Sequence, residues 1–106
     1  MPKFLIEASY TLEGVKGLRS AGGSSRRDAV AHALESAGGS LEHFSFAFGD
    51  KDVVIIIDVP DNEAAAAVAL TVNSAGGATT KMTPLFSPEE VDAAAKRSVE
   101  YRPPGS

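Results

Sequence analysis

Three side chains that can move protons or stabilise charge are spread along the chain. Tyr10 and Lys81 lie in segments that we expect to form neighbouring strands, so they are the best polar pair for a pocket. His43 lies in another strand-like segment, and the ordinary pKa of an imidazole suits acid–base work near neutral pH. These three residues are the candidate catalytic groups. The sequence does not fix the sheet faces on which Tyr10 and Lys81 project.

A glycine-rich stretch and an arginine pair indicate a different chemistry, the binding of an anion. Residues 17–24 read GLRSAGGS, and Gly23 stands where a phosphate-binding loop needs its lysine, so we expect no nucleotide loop. The free amides of a helix that starts at Ser25, with Arg26 and Arg27 beside them, can still hold an anionic group. Arg26 and Arg27 are therefore candidate ligand-binding residues. The alternative is a loop followed by an ordinary helix cap.

Acidic and imidazole side chains are too scattered to predict a metal centre. His32 and His43 have no partner at HxH or HxxxH spacing, and the chain contains no cysteine. Asp50 and Asp52 flank Lys51 at an expected turn, where carboxylates more often face water than bind a cation. We expect no metal and no cofactor, and keep Asp52 as a candidate ligand-binding residue.

A row of phenylalanines, Phe44, Phe46 and Phe48, alternates along one expected strand and therefore shares one face. Phe46 and Phe48 are candidates for the lining of a ligand cavity. A hydrophobic core or a subunit interface would use the same row. Asp58 interrupts an apolar strand nearby, and a buried acid needs a partner unless the strand end lets it reach water.

Length and composition indicate one soluble domain. The chain has 106 residues, a hydrophobic fraction of 43% and a formal net charge of −4. The negative charge argues against nucleic acid as a partner, because phosphate contacts need a basic surface. No apolar run approaches the roughly 20 residues of a membrane span, and the N-terminus lacks a signal-peptide layout. We expect a cytoplasmic protein, with one domain over residues 1–99 and a flexible tail over residues 100–106.

Hydrophobic periodicity and turn residues predict four strands and three helices. Four glycines between residues 11 and 23 argue against a long helix there and leave room for one turn around residues 13–18. Ser25 with Asp28, and Ser87 with Glu90, have the spacing of a capping box. The predicted elements are strand 3–10, helix 25–37, strand 41–48, strand 53–59, a helix capped by Asp61 with its body over 64–72, strand 78–85, and a helix from Ser87 to about Ser98.

This order is β-α-β-β-α-β followed by a helix, which is the split β-α-β pattern of a ferredoxin-like α+β fold. Right-handed crossovers place both main helices on the same face of the sheet. Residues 53–59 read VVIIIDV and are apolar on both faces except at Asp58. The second face of the sheet therefore needs a cover. A second copy of the chain is the simplest cover, so we predict a homodimer.

Five stretches of the chain resemble one known family, in the same order and with plausible spacing. They are YTLEGVKGL at 10–18, FAFGDKDVV at 46–54, PDNEAA at 60–65, TKMTPL at 80–85 and SPEE at 87–90. Over residues 2–95 the chain resembles the GYD domain family, small bacterial and archaeal proteins. The family's Gly-Tyr-Asp neighbourhood appears here as Gly49-Asp50-Lys51-Asp52, so no role of that tyrosine carries over. The resemblance implies a fold of the dimeric α/β-barrel group and brings no catalytic residues.

Two main functions are consistent with these residues. The first is a homo-oligomeric module that binds a small ligand or serves assembly. The alternative, implied by the resemblance, is a cofactor-independent oxygenase or isomerase acting on a small organic substrate, with Tyr10 as proton donor, His43 as base and Lys81 as charge stabiliser. An enclosed cavity that holds these side chains would favour the enzyme. A third class is an anion-binding regulator that uses Arg26, Arg27 and the helix start at Ser25.

Overall fold

Residues 2–105 are described by a computed structural model, and four strands of this part of the chain form one antiparallel sheet. The strands are β1 (Lys3–Tyr10), β2 (Ser40–Phe46), β3 (Val53–Asp58) and β4 (Ala78–Leu85), in the spatial order β2-β3-β1-β4. β1 lies between β3 and β4 and runs antiparallel to both. This arrangement confirms the predicted ferredoxin-like α+β fold.

Four helices complete the described chain: α1 (Leu12–Ala21), α2 (Gly23–Ser36), α3 (Asn62–Ser74) and α4 (Pro88–Ala95). α2 packs against β2 and α3 packs against β4, while α1 lies beside α2 and the end of β1. The predicted extra C-terminal helix is confirmed as α4. It differs from the other three helices because it has no comparable packing against the sheet.

The core lies between the sheet and the helices, and strand alternation explains its membership. Phe4, Ile6 and Ala8 of β1 are buried, and each lies opposite a buried residue of β3. Leu34 of α2 is fully buried in the same cluster, and Ala65 of α3 joins it. The helices therefore cover the face that carries the even-numbered residues of β1.

The other face of the sheet carries the odd-numbered residues of β1. At its centre are Leu5, Val54 and Ile56, which are half-buried and lie outside the core cluster. We call this surface the open sheet face. At its edge Lys3 pairs with Glu42 and with Asp58, whose Oδ2 lies 3.3 Å from Nζ, and the hydrogen bond to Glu42 is the main cause that raises the pKa of Lys3. The lysine thus partners Oδ2 of Asp58, whereas Oδ1 is buried and has no hydrogen-bond partner among the described residues.

The expectation of only one helical turn around residues 13–18 was wrong, because the glycine-rich stretch forms the ten-residue helix α1. Thr11 caps this helix by accepting a hydrogen bond from the Gly14 amide, and its hydroxyl also donates to the Gly76 carbonyl at 2.9 Å. Gly14 packs against the backbone of Gly77, where a side chain would not fit. Gly14 therefore allows α1 to pack closely against the rest of the domain, and it does not interrupt the helix.

The second helix starts two residues earlier than predicted. Gly22, with φ of +90°, ends α1 and precedes α2 without any side-chain cap, so the expected capping box of Ser25 and Asp28 was wrong. Glycine tolerates this backbone conformation, which is strained for other residues. The two helices are therefore separated by a single residue.

The remaining boundaries differ by a few residues from the predicted ones. β2 ends at Phe46, and Phe48 has a φ of +52°, so the expected strand over 41–48 is too long. The last helix ends at Ala95 instead of about Ser98. Its predicted start is confirmed, because Ser87 and Glu90 form a complete capping box with proline at the first position.

Candidate functional site

A cleft of about 450 Å³ opens between the first two helices, the end of α3 and the start of β4. We call it the Tyr10–Arg26 cleft after its two strongest polar groups. Its walls are mostly glycine, alanine and aliphatic side chains. The lining comprises Tyr10, Gly14, Gly17, Leu18, Ala21, Gly22, Ser25, Arg26, Ala29, Val72, Ala75, Gly77 and Ala78.

Tyr10 ends β1 on the covered side of the sheet and is half-buried there. Burial raises the pKa of its phenol above the ordinary value of 10.0, the nearby charge of Arg26 lowers it, and the charge of Asp52 raises it further. The net direction is upward, so the phenol stays protonated at neutral pH. Tyr10 therefore presents a hydrogen-bond donor to the cleft.

Arg26 supplies the positive charge of the cleft, from the first turn of α2. Within residues 2–105 no carboxylate forms an ion pair with its guanidinium, whereas Arg27 pairs with Asp28 at 3.2 Å. Because the start of α2 has no side-chain cap, its first amides are also available beside Ser25. A guanidinium and a helix N-terminus together favour an anionic group. Of the two candidate arginines, only Arg26 lines the cleft.

A smaller apolar cavity of about 50 Å³ adjoins the cleft on the core side. Tyr10, Arg26, Val72 and Ala78 line both spaces, so the cavity continues the cleft toward the core. Its other walls include Val30 and Phe44. The combined site has a polar mouth and an apolar floor, which is the usual construction of a small-molecule pocket.

The candidate catalytic residues do not meet in one chain. Lys81 lies opposite Glu7 in β1, and His43 lies opposite Ile56 in β3, so both project on the open sheet face while Tyr10 projects on the covered one. Two strands separate β2 from β4, a lateral distance of about 14 Å at the usual strand spacing, and His43 and Lys81 are also offset by two positions along β1. His43 is exposed, and its Nε2 lies 2.6 Å from the Ser45 hydroxyl. Only Tyr10 belongs to the cleft.

Asp52 lies outside the lining of the cleft and binds the backbone of Tyr10. Its Oδ2 accepts a hydrogen bond from the Tyr10 amide at 2.8 Å, and its own amide donates to the Ala8 carbonyl at 2.9 Å. These bonds fix the end of β1, from which the Tyr10 side chain projects. Asp52 is absent from the lining, so its place in the structure is that of a positioning residue.

Phe46 and Phe48 also lie outside the lining of the cleft. The Phe46 ring packs under Gly23, where an added Cβ would be 2.8 Å from ring atom Cε2, so Phe46 sets the position of the start of α2. Phe48 stacks on Phe46 with ring centroids 5.8 Å apart and remains 65% exposed. Phe44 is edge-on to Phe46 at 5.2 Å and borders the small apolar cavity.

The sequence interpretation missed most of the cleft walls. Gly14, Gly17 and Leu18 belong to the stretch that was expected to be mainly loop, and Val72 and Ala78 come from distant elements. The available signal was the close glycine spacing before the arginine pair, which is typical of a backbone that must approach another backbone or a ligand. In the sequence this stretch was considered as a phosphate loop, as an anion-binding helix start or as a loop followed by a cap, but not as the wall of a cleft.

Other classes of site find little support in the part of the chain that the structure describes. Residues 2–105 contain no group of three or more histidine, aspartate or glutamate side chains placed to hold a metal ion. The helices described in this range are too short or too polar to cross a membrane.

Comparison with known proteins places the chain in one family. No curated protein matches it. The GYD domain matches residues 4–95, which is most of the chain and includes all four strands except Lys3, and every lining residue of the cleft. The chain therefore belongs to the GYD domain family.

Proposed function

We propose that the protein is a homo-oligomeric module that binds a small organic anion in the Tyr10–Arg26 cleft. The carrying observation is the cleft itself, where an unpaired guanidinium and a protonated phenol stand at the mouth of an apolar space. A volume of about 450 Å³ suits a ligand of small-molecule size. A ligand with one carboxylate or sulfonate and an apolar body satisfies both parts of the site.

Separation of Tyr10 from His43 and Lys81 supports binding over acid–base catalysis by these three residues. A general base must come within hydrogen-bond reach of the proton that it removes. In one chain the sheet itself lies between Tyr10 and the other two side chains. The lining of the cleft in a single chain thus offers a donor and a cation for recognition, and among the described residues it includes no histidine and no carboxylate.

Ligand binding is tested with a pair of probes that differ in charge but have similar shape, benzoate and benzamide. We expect benzoate to shift the amide NMR signals of Gly22 to Arg26 at lower concentration than benzamide does. Arg26→Ala should remove the preference for benzoate, because the cation is lost while the apolar walls remain. Arg27→Ala is the matched control and should retain the preference, since Arg27 pairs with Asp28 outside the cleft. Equal binding of the two probes to the unaltered protein would refute the anionic ligand.

Self-association is the second part of the proposal, and the open sheet face is the surface proposed for it. The helices pack on the opposite face of the sheet, so the apolar centre of the open sheet face stays half-buried in a single chain. A two-fold pairing brings the same apolar centre, Leu5, Val54 and Ile56, from both copies together.

Sedimentation equilibrium tests the pairing. We expect a dimer at micromolar concentration, and we expect Ile56→Asp to dissociate it because a carboxylate would be buried at the centre of the interface. Leu70→Asp is the control, since Leu70 is 71% exposed on α3, away from the open sheet face. A monomeric unaltered protein, or a dimer unaffected by Ile56→Asp, would exclude this interface.

A further inference from the structure

The small apolar cavity on the core side of the Tyr10–Arg26 cleft lies between the sheet and the helices α2 and α3. We call this space of about 50 Å³ the inner cavity. Its walls include Leu34, Val53 and Ile57, whose side chains are fully buried. Apart from Arg26, all the described residues that line it are buried or half-buried, and most of them are aliphatic. The inner cavity is therefore an apolar space that lies largely out of water.

The inner cavity and the cleft meet at a junction that four side chains form. Tyr10, Arg26, Val72 and Ala78 line both spaces, so the phenol and the guanidinium that are proposed to hold the anion lie where the two spaces join. An anion bound there has its apolar part either in the cleft, whose wall at Ala21 is exposed, or in the inner cavity. Because removal of apolar surface from water is favourable in proportion to its area, the inner cavity is the favoured place for the apolar part.

The size of the inner cavity limits the groups that it can take. An apolar cavity of about 150 Å³ holds one benzene ring, which corresponds to about 25 Å³ for each carbon atom. At this volume per carbon, the inner cavity of about 50 Å³ holds about two carbons. A ring such as that of benzoate is therefore confined to the wider cleft, whereas the end of a straight alkyl chain fits the inner cavity.

We infer that the ligand of the cleft is a short straight-chain carboxylate, with its head group at Arg26 and Tyr10 and the end of its alkyl chain in the inner cavity. The class of ligand follows from a cation at one end of the site and an apolar space of limited volume at the other. The head group rests on the proposed function, whereas the position of the chain rests on the inner cavity itself.

Ala69 of α3 sets the length of chain that fits. α3 lines the inner cavity with Val68, Ala69 and Val72, which share one helix face at steps of one, three and four residues. Ala69 is the smallest of these side chains and does not belong to the lining of the wider cleft. A larger side chain here fills the space that the alkyl chain needs, while Arg26 and Tyr10 are unchanged. Ala69 is thus the residue that determines specificity for chain length.

Titrations with straight-chain carboxylates, followed by the amide NMR signals of the protein, test the position of the chain. We expect the dissociation constant to fall about fourfold for each carbon from acetate to butanoate, which is the effect of burying one methylene group. From butanoate to hexanoate it should stay within about twofold, because the inner cavity is then full. The amides of the same acids should show the same gain with chain length at weaker affinity, since the gain comes from the chain alone.

Substitutions on α3 test the role of Ala69. Ala69→Val should abolish the gain from acetate to butanoate, because the added methyl groups fill the inner cavity, and should retain the preference for acetate over acetamide. Ala67→Val is the matched control, since Ala67 is exposed and lines neither space, and the gain should remain. Val68→Ala enlarges the inner cavity and should extend the gain beyond butanoate, which keeps the test decisive if Ala69→Val does not fold.

Failure of this inference and failure of the proposed function give different results. Affinity that does not depend on chain length, with carboxylates still preferred over amides, would overturn the position of the chain and leave the proposed function standing. Affinity that keeps rising from butanoate to octanoate would place the chain in the wider cleft. Nuclear Overhauser effects from the terminal methyl group of butanoate to Leu18 instead of Ile55 would show the same, because Leu18 lines only the cleft and Ile55 only the inner cavity. Equal affinity for carboxylates and amides would overturn the anionic head group and with it the proposed function.

Discussion

Replacement of Gly14 by alanine tests how α1 is held against the body of the domain. A Cβ on Gly14 would lie 1.9 Å from the Gly77 carbonyl oxygen and 2.9 Å from the carbonyl carbon. Both are backbone atoms, so no side-chain rotation relieves the clash, and α1 must move by more than about 1 Å to restore a normal contact. Overpacking of this kind costs about 1–3 kcal/mol. The helical preference for alanine over glycine offsets about 0.5–1 kcal/mol of that cost.

We therefore expect Gly14→Ala to lower the free energy of unfolding by about 1–2 kcal/mol. Gly17→Ala is the matched control in the same helix, because no heavy atom lies within 4 Å of its added Cβ. It should raise the free energy of unfolding by up to about 1 kcal/mol. Urea unfolding followed by far-UV circular dichroism measures both. If Gly14→Ala proves as stable as Gly17→Ala, the close approach of α1 to Gly77 is not what holds the helix.

Three further outcomes follow from the burial and charges described above. In a Tyr101→Phe background the absorbance titration near 295 nm reports Tyr10 alone, and Arg26→Ala should raise its pKa further because the charge that lowers it is gone. Since the pKa of Tyr10 is raised on folding, its phenol ionises first in the unfolded chain. The contribution of Tyr10 to stability should therefore be constant well below pH 10 and fall as the pH rises from about 10 toward the folded pKa. Urea titrations of Tyr10→Phe should lack this part of the loss and keep the part that comes from the raised pKa of Lys3. Leu34→Ala should cost about 2–5 kcal/mol in chemical unfolding because Leu34 is fully buried, whereas Leu70→Ala should cost less than about 0.5 kcal/mol.

The strands and two of the predicted caps, Asp61 and Ser87, were predictable because they depend on local patterns. Alternation along residues 3–10 identifies β1 and its buried set, and Ser87 with Glu90 identifies the start of α4 from four residues alone. α1 differs from the prediction because its four neighbouring glycines argue against a helix, whereas the cap at Thr11 becomes evident only in the structure. Position 14 requires glycine because it packs against Gly77. Gly77 is 63 positions away in the chain, so the residues next to Gly14 do not indicate this contact.

The candidate site depends on how residues of distant strands pair with one another. Local sequence patterns do not determine this pairing register. The predicted fold makes β1 and β4 neighbours. The observed register pairs Lys81 with Glu7, and this places Lys81 on the sheet face opposite to that of Tyr10. Arg26 was a candidate because a basic residue beside the free amides of a helix start favours an anion, and the structure places it in the lining of the cleft. Arg26 lines the cleft, whereas Arg27 lies elsewhere on α2 and pairs with Asp28. Both differences become evident only in the three-dimensional structure.

Gly22 divides the first crossover into two helices, and this division has a kinetic consequence. α1 contains no buried residue, and hydrogen bonds from Thr11 to Gly76 and Gly77 tie its first turn to the body. Such an element can open locally at a small fraction of the free energy needed to unfold the sheet. Since α1 forms one wall of the cleft, local opening of this helix provides a route for a molecule to enter and leave while the sheet stays folded. We expect the exchange rate of the proposed ligand to depend on the hydrogen bonds of Thr11 and on the backbone freedom at Gly22.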